Sequence, residues 1–280
     1  MAIKITTLSD NTAAMRPGLL AEHGFSVYLE AEDTRLLFDT GQSISAAHNA
    51  RLLGIDLAYV PVALSHGHYD HTGGLAGILE KMGPRKVFCH PDVFSAKYGE
   101  LQGVIKPLGI PESREDLERL GADFDISKQA RQIGDGIWLT GEIPRINDYE
   151  LPENYLLVVD PIKRVDPLRD DQALVLETKK GLIIILGCAH AGLINTIEHA
   201  KKITGKEEIA GIVGGTHLGF PGGDKLAGKI RLTKTIRALK GYDIRLLAVS
   251  HCTGQEAAAM FFREFDESFV FNNAGTVIDL

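Results

Sequence analysis

Cysteine is scarce in this sequence, and its scarcity argues against a fold held together by disulfide bonds. The 280 residues contain three cysteines, at positions 89, 188 and 252. An odd number of thiols in a chain without a recognisable export signal is not the pattern of a disulfide framework. We therefore expect a protein of the reducing cytoplasm.

Long apolar runs and excess positive charge are also lacking. Apolar runs such as residues 182–186 are far shorter than the roughly 20 residues of a membrane-spanning helix. Residues 1–6 read as the start of a strand, not as the charged and then apolar leader of exported proteins. Lys and Arg number 30 against 37 Asp and Glu, and the resulting net charge of −7 disfavours a general nucleic-acid-binding surface. We expect neither a membrane nor a nucleic acid as partner.

What the sequence does have is an alternation of strand-like and helix-like segments, which predicts an α/β protein. The hydrophobic content of 44% is ordinary for a globular chain of this length. Residues 98–111 contain several Gly and Pro and predict a loop. The other predicted elements are strands at 3–8, 25–29, 35–38, 59–64, 86–90, 137–140, 172–176, 182–186, 209–213 and 244–249, and helices at 44–53, 75–82 and near residues 117, 193–200 and 232–239.

One stretch, residues 65–74, concentrates side chains suited to metal binding. It holds three of the ten histidines and one aspartate within six positions. His66 and His68 are two residues apart, so an extended loop can turn both toward one ion, while Asp70 and His71 can offer an oxygen and a nitrogen to a second. Imidazole with carboxylate suits zinc, iron, manganese or nickel better than magnesium or calcium. The alternative is a solvated polar turn, which is a costly use of such a cluster directly after an apolar strand.

Three further histidines follow apolar strands in the second half of the chain. His190 and His251 repeat the order strand, glycine- or histidine-containing loop, helix, and we predict both as metal ligands. His217 is a ligand, a proton donor or a substrate contact, and the glycines at 222 and 223 would let a substrate approach the backbone there. The Ser-His pairs at 65–66 and 250–251 suggest two pseudo-symmetric halves meeting at one site. The remaining histidines, His23, His48, His90 and His199, are expected on the surface or in turns.

Residues 141–170 differ in character from the rest of the chain. Prolines at 144, 152, 161 and 167 disfavour long regular elements. The segment is predicted to be a surface excursion that can cover the active site as a lid. Its basic residues, Arg145 and Arg169 among them, are either contacts for an anionic substrate or ordinary solvated charges.

The run His66-Gly-His68-Tyr-Asp70-His71 resembles the His-x-His-x-Asp-His signature of the metallo-β-lactamase superfamily. The resemblance implies a single domain over residues 1–280 with a four-layer αββα sandwich and two divalent transition-metal ions. Zinc is the first expectation, with iron or manganese as alternatives. It implies one ion on His66, His68 and His190, and a second on Asp70, His71 and His251. In this superfamily an aspartate such as Asp39, in the Asp-Thr-Gly turn at 39–41, supports the metal loop from outside; a plain aspartate turn is the equal alternative.

The segments at 170–174, 187–192, 215–218 and 251–254 are similar to one subfamily, the 7,8-dihydropterin-6-methyl-4-(β-D-ribofuranosyl)aminobenzene-5′-phosphate synthases and related metal-dependent hydrolases. This likeness implies a small phosphorylated or pterin-like substrate and transfer from a dihydropterin diphosphate to an aminobenzene ribosyl phosphate. Asp70 and His217 are the expected catalytic residues, with His217, Arg145 and Arg169 as substrate contacts. The alternatives are a hydrolase of a phosphodiester, thioester or lactone, and a non-catalytic iron- or pterin-binding redox or sensor protein. A homo-oligomer is compatible with the sequence.

One departure from the superfamily pattern concerns the bridging carboxylate. Many members carry an aspartate at the end of the strand that here ends in Cys188-Ala-His190. Either Asp171 replaces it from the neighbouring strand, or the site lacks the bridge and one ion is weakly bound or missing. Cys188 and Cys252 either tune the site toward a soft metal or pack as small buried residues.

Overall fold

The computed structural model describes residues 2–101, 103–159, 162–219 and 225–280. Its strands, in chain order, are β1 (Ile3–Ser9), β2 (Ser26–Ala31), β3 (Thr34–Phe38), β4 (Val62–Ala63), β5 (Arg85–Cys89), β6 (Ala96–Leu101), β7 (Val104–Pro107), β8 (Ala122–Ile126), β9 (Arg131–Gly134), β10 (Ile137–Leu139), β11 (Leu156–Val159), β12 (Lys163–Val165), β13 (Leu174–Thr178), β14 (Gly181–Leu186), β15 (Ile209–Gly215), β16 (Leu246–Ser250), β17 (Phe269–Phe271) and β18 (Val277–Asp279). The helices are α1 (Ser45–Leu52), α2 (Tyr69–Thr72), α3 (Leu75–Met82), α4 (Arg114–Arg119), α5 (Leu193–Thr204), α6 (Lys225–Leu239) and α7 (Gly254–Phe265). No helix in these ranges is long and apolar enough to cross a membrane.

The described chain forms two compact units. The first contains Met1–Ser95, Leu108–Lys128 and Asn272–Leu280, and the second contains Ala96–Pro107 and Gln129–Phe271. Each unit has its own seven-stranded sheet and its own helices. The α/β class is therefore confirmed, while a single domain over residues 1–280 stays a prediction.

The sheet of the first unit has the order β18-β1-β2-β3-β4-β5-β8. The strands predicted at 25–29 and 35–38 form an antiparallel hairpin of β2 and β3, with Val27 opposite Phe38. From β3 to β8 the strands run parallel, so the loop after β4 leaves the sheet at its carboxyl-terminal edge. The helix predicted at 75–82 is α3, and it buries Leu75, Ile78 and Leu79 in the core of this unit.

The sheet of the second unit has the order β17-β16-β15-β14-β13-β10-β9. Its strands β14, β15 and β16 are parallel neighbours with Gly214 between Leu186 and Val249. The three loops that follow these strands therefore emerge side by side at one edge of this sheet. Nearly continuous burial of β14 and β15 is what a parallel strand covered on both faces requires.

The prediction of a loop at 98–111 was wrong. Residues of this stretch form β6 and β7, an antiparallel pair in a separate four-stranded sheet with the order β12-β11-β6-β7. Glycine and proline misled the prediction because Pro107 ends an edge strand, where its missing N–H costs no ladder hydrogen bond. In the described part of segment 141–170 the strands are β11 and β12, both short; Pro161 lies outside the described residues.

A buried ion triad ties this four-stranded sheet to the segment before β13. The Lys97 Nζ donates to Asp166 Oδ2 at 3.0 Å and to Asp170 Oδ1 at 2.9 Å. Burial alone would lower the pKa of Lys97, but the two carboxylates raise it above its ordinary value. The lysine therefore stays charged, and β6 is fixed to the stretch that leads into the second sheet.

Candidate metal-binding and active site

In the first unit the structure brings together the three histidines of the 65–74 loop. The Nε2 of His66 lies 3.0 Å from the Nδ1 of His68, and the ring centroids of His66 and His71 are 4.2 Å apart. All three side chains are buried. Burying several imidazole nitrogens close together is energetically unfavourable unless they share a partner. This convergence therefore fits a metal ion.

A carboxylate behind the loop holds its geometry. Asp39 Oδ1 accepts the Ser65 backbone N–H at 2.7 Å, and its Oδ2 accepts the Ser65 hydroxyl at 2.6 Å and lies 2.7 Å from His71 Nδ1. A hydrogen bond donated by Nδ1 leaves Nε2 of His71 as the nitrogen for a metal. These contacts favour the supporting role of Asp39 over a plain aspartate turn.

The predicted ligand Asp70 is buried at the start of α2. Its Oδ2 lies 3.7 Å from His71 Nε2 and 3.3 Å from His23 Nε2. His23 is exposed, as expected, and it also contacts this carboxylate. The neighbouring imidazoles therefore surround the oxygen that Asp70 would offer to a metal.

In the second unit the predicted histidines occupy the loops after β14, β15 and β16. The rings of His190 and His217 have centroids 4.2 Å apart. Potential ligand atoms of Cys188, His190 and His217 lie within 4.8 Å of one another, as do those of Cys188, His251 and Cys252. The geometry therefore places His217 among candidate ligands and adds the two cysteines to them. The glycines at 222 and 223 lie outside the described residues.

The backbone is strained in these loops. Ala189, His217 and His251 have φ angles of 53°, 49° and 53°. Non-glycine residues in the left-handed region cost about 1–3 kcal/mol each and persist where the surrounding structure imposes them, often at functional sites. Asp39, in the first unit, shares this feature with φ of 60°.

The segment 141–170 supports the His190 loop from within the second unit. Glu150 accepts the backbone N–H groups of Ile194 and Asn195, both at 2.9 Å, and so caps the N-terminus of α5. Gly192, just before this helix, has φ of 105°, and a Cβ there would lie 2.4 Å from the Glu150 carboxyl group. The chain enters α5 from the His190 loop only with glycine at this position.

The same segment delivers two polar residues that the sequence did not single out. Tyr155 Oη is 2.9 Å from His217 Nε2. Glu153 Oε1 accepts from Arg231 Nη1 at 2.5 Å, and its Oε2 lies 3.9 Å from His190 Nδ1. Burial alone would raise the pKa of Glu153, but His190 and the charge of Arg231 hold it well below its ordinary value. No local motif marks these residues, since long-range pairing alone brings them to the histidines.

The two arginines predicted as substrate contacts differ in position. Arg145 donates to the backbone carbonyls of Pro167 and His190, at 2.9 and 3.0 Å. Burial lowers the pKa of Arg145, and both its Nη groups are engaged with the chain. Arg169 is exposed. Substrate binding by either residue stays a prediction, and the observed contacts of Arg145 are those of a residue that positions the His190 loop.

Asp171 supports the His190 loop by accepting backbone N–H groups, much as Asp39 supports the His66 loop. Its Oδ2 accepts the Ala191 N–H at 2.7 Å, and the His190 N–H also hydrogen-bonds to it. Burial raises the pKa of Asp171 to about 7. Within the described residues, none of the clusters of closely spaced ligand atoms includes Asp171. Its contacts support the backbone of the loop and are not those of a bridging metal ligand.

The donors that converge are imidazole nitrogens and a carboxylate oxygen in the first unit, and imidazole nitrogens and thiol sulfurs in the second. This donor set suits a divalent transition metal such as zinc or iron and suits magnesium or calcium poorly. The residues present therefore fit the metal that the sequence predicts.

Comparison with known proteins identifies the family of this chain. A model of the metallo-β-lactamase superfamily matches residues 20–198. The 7,8-dihydropterin-6-methyl-4-(β-D-ribofuranosyl)-aminobenzene-5′-phosphate synthase of Methanocaldococcus jannaschii is 32% identical, covering 99% of this chain and 96% of that protein. A solved metal-dependent hydrolase of the β-lactamase superfamily is 30% identical, with a TM-score of 0.84 and 99% of both chains covered. The Zn(2+)-bound PqqB of Methylobacterium extorquens shares the fold, with a TM-score of 0.60 over 99% of this chain and 100% of PqqB at 13% identity.

The chain belongs to the metallo-β-lactamase superfamily. It has the α/β metallo-β-lactamase fold and is a metal-dependent enzyme of that superfamily, as the histidine signature predicted.

Proposed function

We propose that this enzyme joins a dihydropterin to an aminobenzene ribosyl phosphate, with release of diphosphate, in the biosynthesis of a methanopterin-type cofactor. The observation that carries the proposal is the end-to-end likeness to a synthase named for this product, at 32% identity over 99% of the chain. The four subfamily-like segments in the second half of the chain support it. Three of them form the loops that hold His190, His217 and His251.

For the metal, we propose ligands from each unit as the sequence predicted. They are His66, His68, Asp70 and His71 in the first unit, and His190 and His251 in the second. Two divalent transition-metal ions, zinc first, are the proposed cofactors; bound ions would polarise a substrate oxygen and stabilise the charge of the departing diphosphate.

The chain's own residues fix the groups that would meet the substrate. Asp39 holds the His71 ring, so that its Nε2 keeps one direction. Tyr155 holds His217 through Nε2, and His217 is proposed to bind or protonate a phosphate oxygen. Asp70 and His217 remain the proposed catalytic residues.

The test is an assay of diphosphate release by the metal-loaded enzyme with a dihydropterin diphosphate and an aminobenzene ribosyl phosphate. Release that requires both substrates and metal is expected. Release from the pterin diphosphate without the amine, or turnover of a generic phosphodiester alone, would contradict the transferase and identify a hydrolase.

Hydrolysis is the second candidate because the solved relative at 30% identity is a metal-dependent hydrolase. Its substrate would be a phosphodiester, thioester or lactone. A protein that binds metal or pterin but turns over none of these would be the non-catalytic alternative.

We further propose a cytoplasmic enzyme whose partners are small molecules and, in a homo-oligomer, copies of itself. The three cysteines are buried and free, which suits a reducing compartment. Size-exclusion chromatography with light scattering would decide the oligomeric state.

A further inference from the structure

Arg231 is a buried cation that the proposed reaction has not yet used. It lies in the second turn of α6, and its side chain is 13% exposed. Nη1 donates to Glu153, whereas Nε and Nη2 are buried and have no hydrogen-bond partner among the residues that the structure describes.

Unsatisfied donors of this kind need an explanation. A buried polar group without a partner destabilises the fold, and more so when it is charged. Glu153 compensates the charge of Arg231 but occupies only one of its five N–H groups. The remaining donors face no protein acceptor in the described chain, so an acceptor from outside the chain would satisfy them.

The surroundings of Arg231 indicate which acceptor. Its ion-pair partner Glu153 lies two residues before Tyr155, whose Oη is 2.9 Å from His217 Nε2. The segment that holds the guanidinium therefore also carries a phenol in contact with an imidazole, and these groups together can donate several hydrogen bonds. Planar guanidinium donors match the oxygens of a phosphoryl group especially well.

We propose that Arg231, with Tyr155, binds a phosphoryl group of the substrate. This inference rests on the proposed function, in which both substrates carry phosphate, and it names the residues that recognise that group. Glu153 acts as a positioning residue, since its hydrogen bond to Nη1 fixes the guanidinium while leaving Nε and Nη2 available.

The first experiment measures binding and not turnover, so its outcome does not depend on which reaction is catalysed. Inorganic pyrophosphate and ribose 5-phosphate are titrated by calorimetry into the metal-loaded enzyme and into Arg231→Gln. The matched control is Arg237→Gln, which removes an exposed arginine from the same helix. Metal content is measured for each protein, so that a change in the metal site is not mistaken for lost phosphate binding.

We expect Arg231→Gln to weaken binding of at least one probe by about 10- to 100-fold, with unchanged metal content and with the control within about two-fold of the parent. The probe affected shows whether the diphosphate or the ribosyl phosphate is bound. Equal binding of both probes by parent and variant would overturn the proposal, even if the synthase reaction were established.

Two further variants keep the test decisive if Arg231→Gln does not fold. Tyr155→Phe retains the ring and removes one donor, and about three- to ten-fold weaker binding of the same probe is expected. Arg231→Lys keeps the charge but loses the planar fork, so its affinity should fall between those of parent and Gln variant. Parent-like affinity in both would contradict the assignment.

Discussion

The two units build their histidine loops by different means. In the first unit, His66, His68 and His71 come from one loop, and Asp39, 32 positions before His71, supports it. In the second unit, the histidines come from three loops, and their supports come from the distant segment 141–170. The histidines of the first unit are local in sequence, whereas those of the second unit are brought together by the tertiary fold. A motif therefore marks the candidate ligands of the first unit, whereas the supporting residues of the second unit carry no motif.

The largest expected effect tests whether the ligands of the second unit are as important as the signature motif of the first. His190→Ala should lose most of its bound metal and reduce activity by roughly a hundred-fold or more, because a ligand is removed. Elemental analysis and the diphosphate-release assay measure both. His48→Ala, which alters a half-buried histidine on α1 outside the candidate ligand clusters, is the control. Full metal content in His190→Ala would remove His190 from the ligand set.

A smaller effect on metal affinity distinguishes the two supporting carboxylates, Asp39 and Asp171. Asp39→Asn weakens the hydrogen bond that orients His71, and we expect about 10- to 100-fold weaker metal affinity. Asp171 accepts backbone N–H groups and does not contact an imidazole. Asp171→Asn should therefore reduce metal affinity less than Asp39→Asn. Competition with a chromogenic chelator measures both. Equal losses of metal affinity in the two variants would show that Asp39 and Asp171 contribute equally to metal binding.

The third prediction concerns how tightly segment 141–170 is fitted to α5. Gly192→Ala places a Cβ against Glu150 in a left-handed conformation, so we expect a loss of about 3 kcal/mol in the free energy of unfolding. Gly205→Ala is the matched control, because Gly205 has φ of 69° but open space around it. It should cost about 1 kcal/mol. Denaturant unfolding gives both values. Similar losses of stability in the two variants would mean that the Glu150 side chain moves aside at little cost.

The smallest effect is a pH dependence in the first unit. Glu22 accepts hydrogen bonds from Ser43 and Ser45. Burial opposes ionisation, but these bonds lower the pKa of Glu22 below its ordinary value of 4.5. A carboxyl with a lowered folded pKa contributes stability above pH 4.5, and this contribution is lost as the pH falls through the folded pKa.

Thermal unfolding at several pH values should therefore show a shallower acid loss for Glu22→Gln than for the parent. Glu80→Gln, at an exposed position on α3, should follow the parent. An unchanged acid limb in Glu22→Gln would show that its hydrogen bonds do not couple to folding.

Local patterns predicted much of the fold. The strands predicted at 25–29 and 35–38 match β2 and β3, and the 3.6-residue apolar period predicted α3 at 75–82. Local patterns failed at β6 and β7, which contain glycine and proline. This sheet is held by pairing with β11 and by the bonds of Lys97 to Asp166 and Asp170, all of them distant in sequence.

By itself the sequence determined the histidine signature, the superfamily and the positions of the strand ends that carry candidate ligands. These depend on residues within a few positions of one another, where spacing alone fixes geometry. Only the tertiary structure decided that Glu150 caps α5, that Glu153 and Tyr155 reach His190 and His217, and that Arg231 retains buried donors. Those contacts join residues 37 to 78 positions apart, and the path of the folded chain, not local preference, selects them.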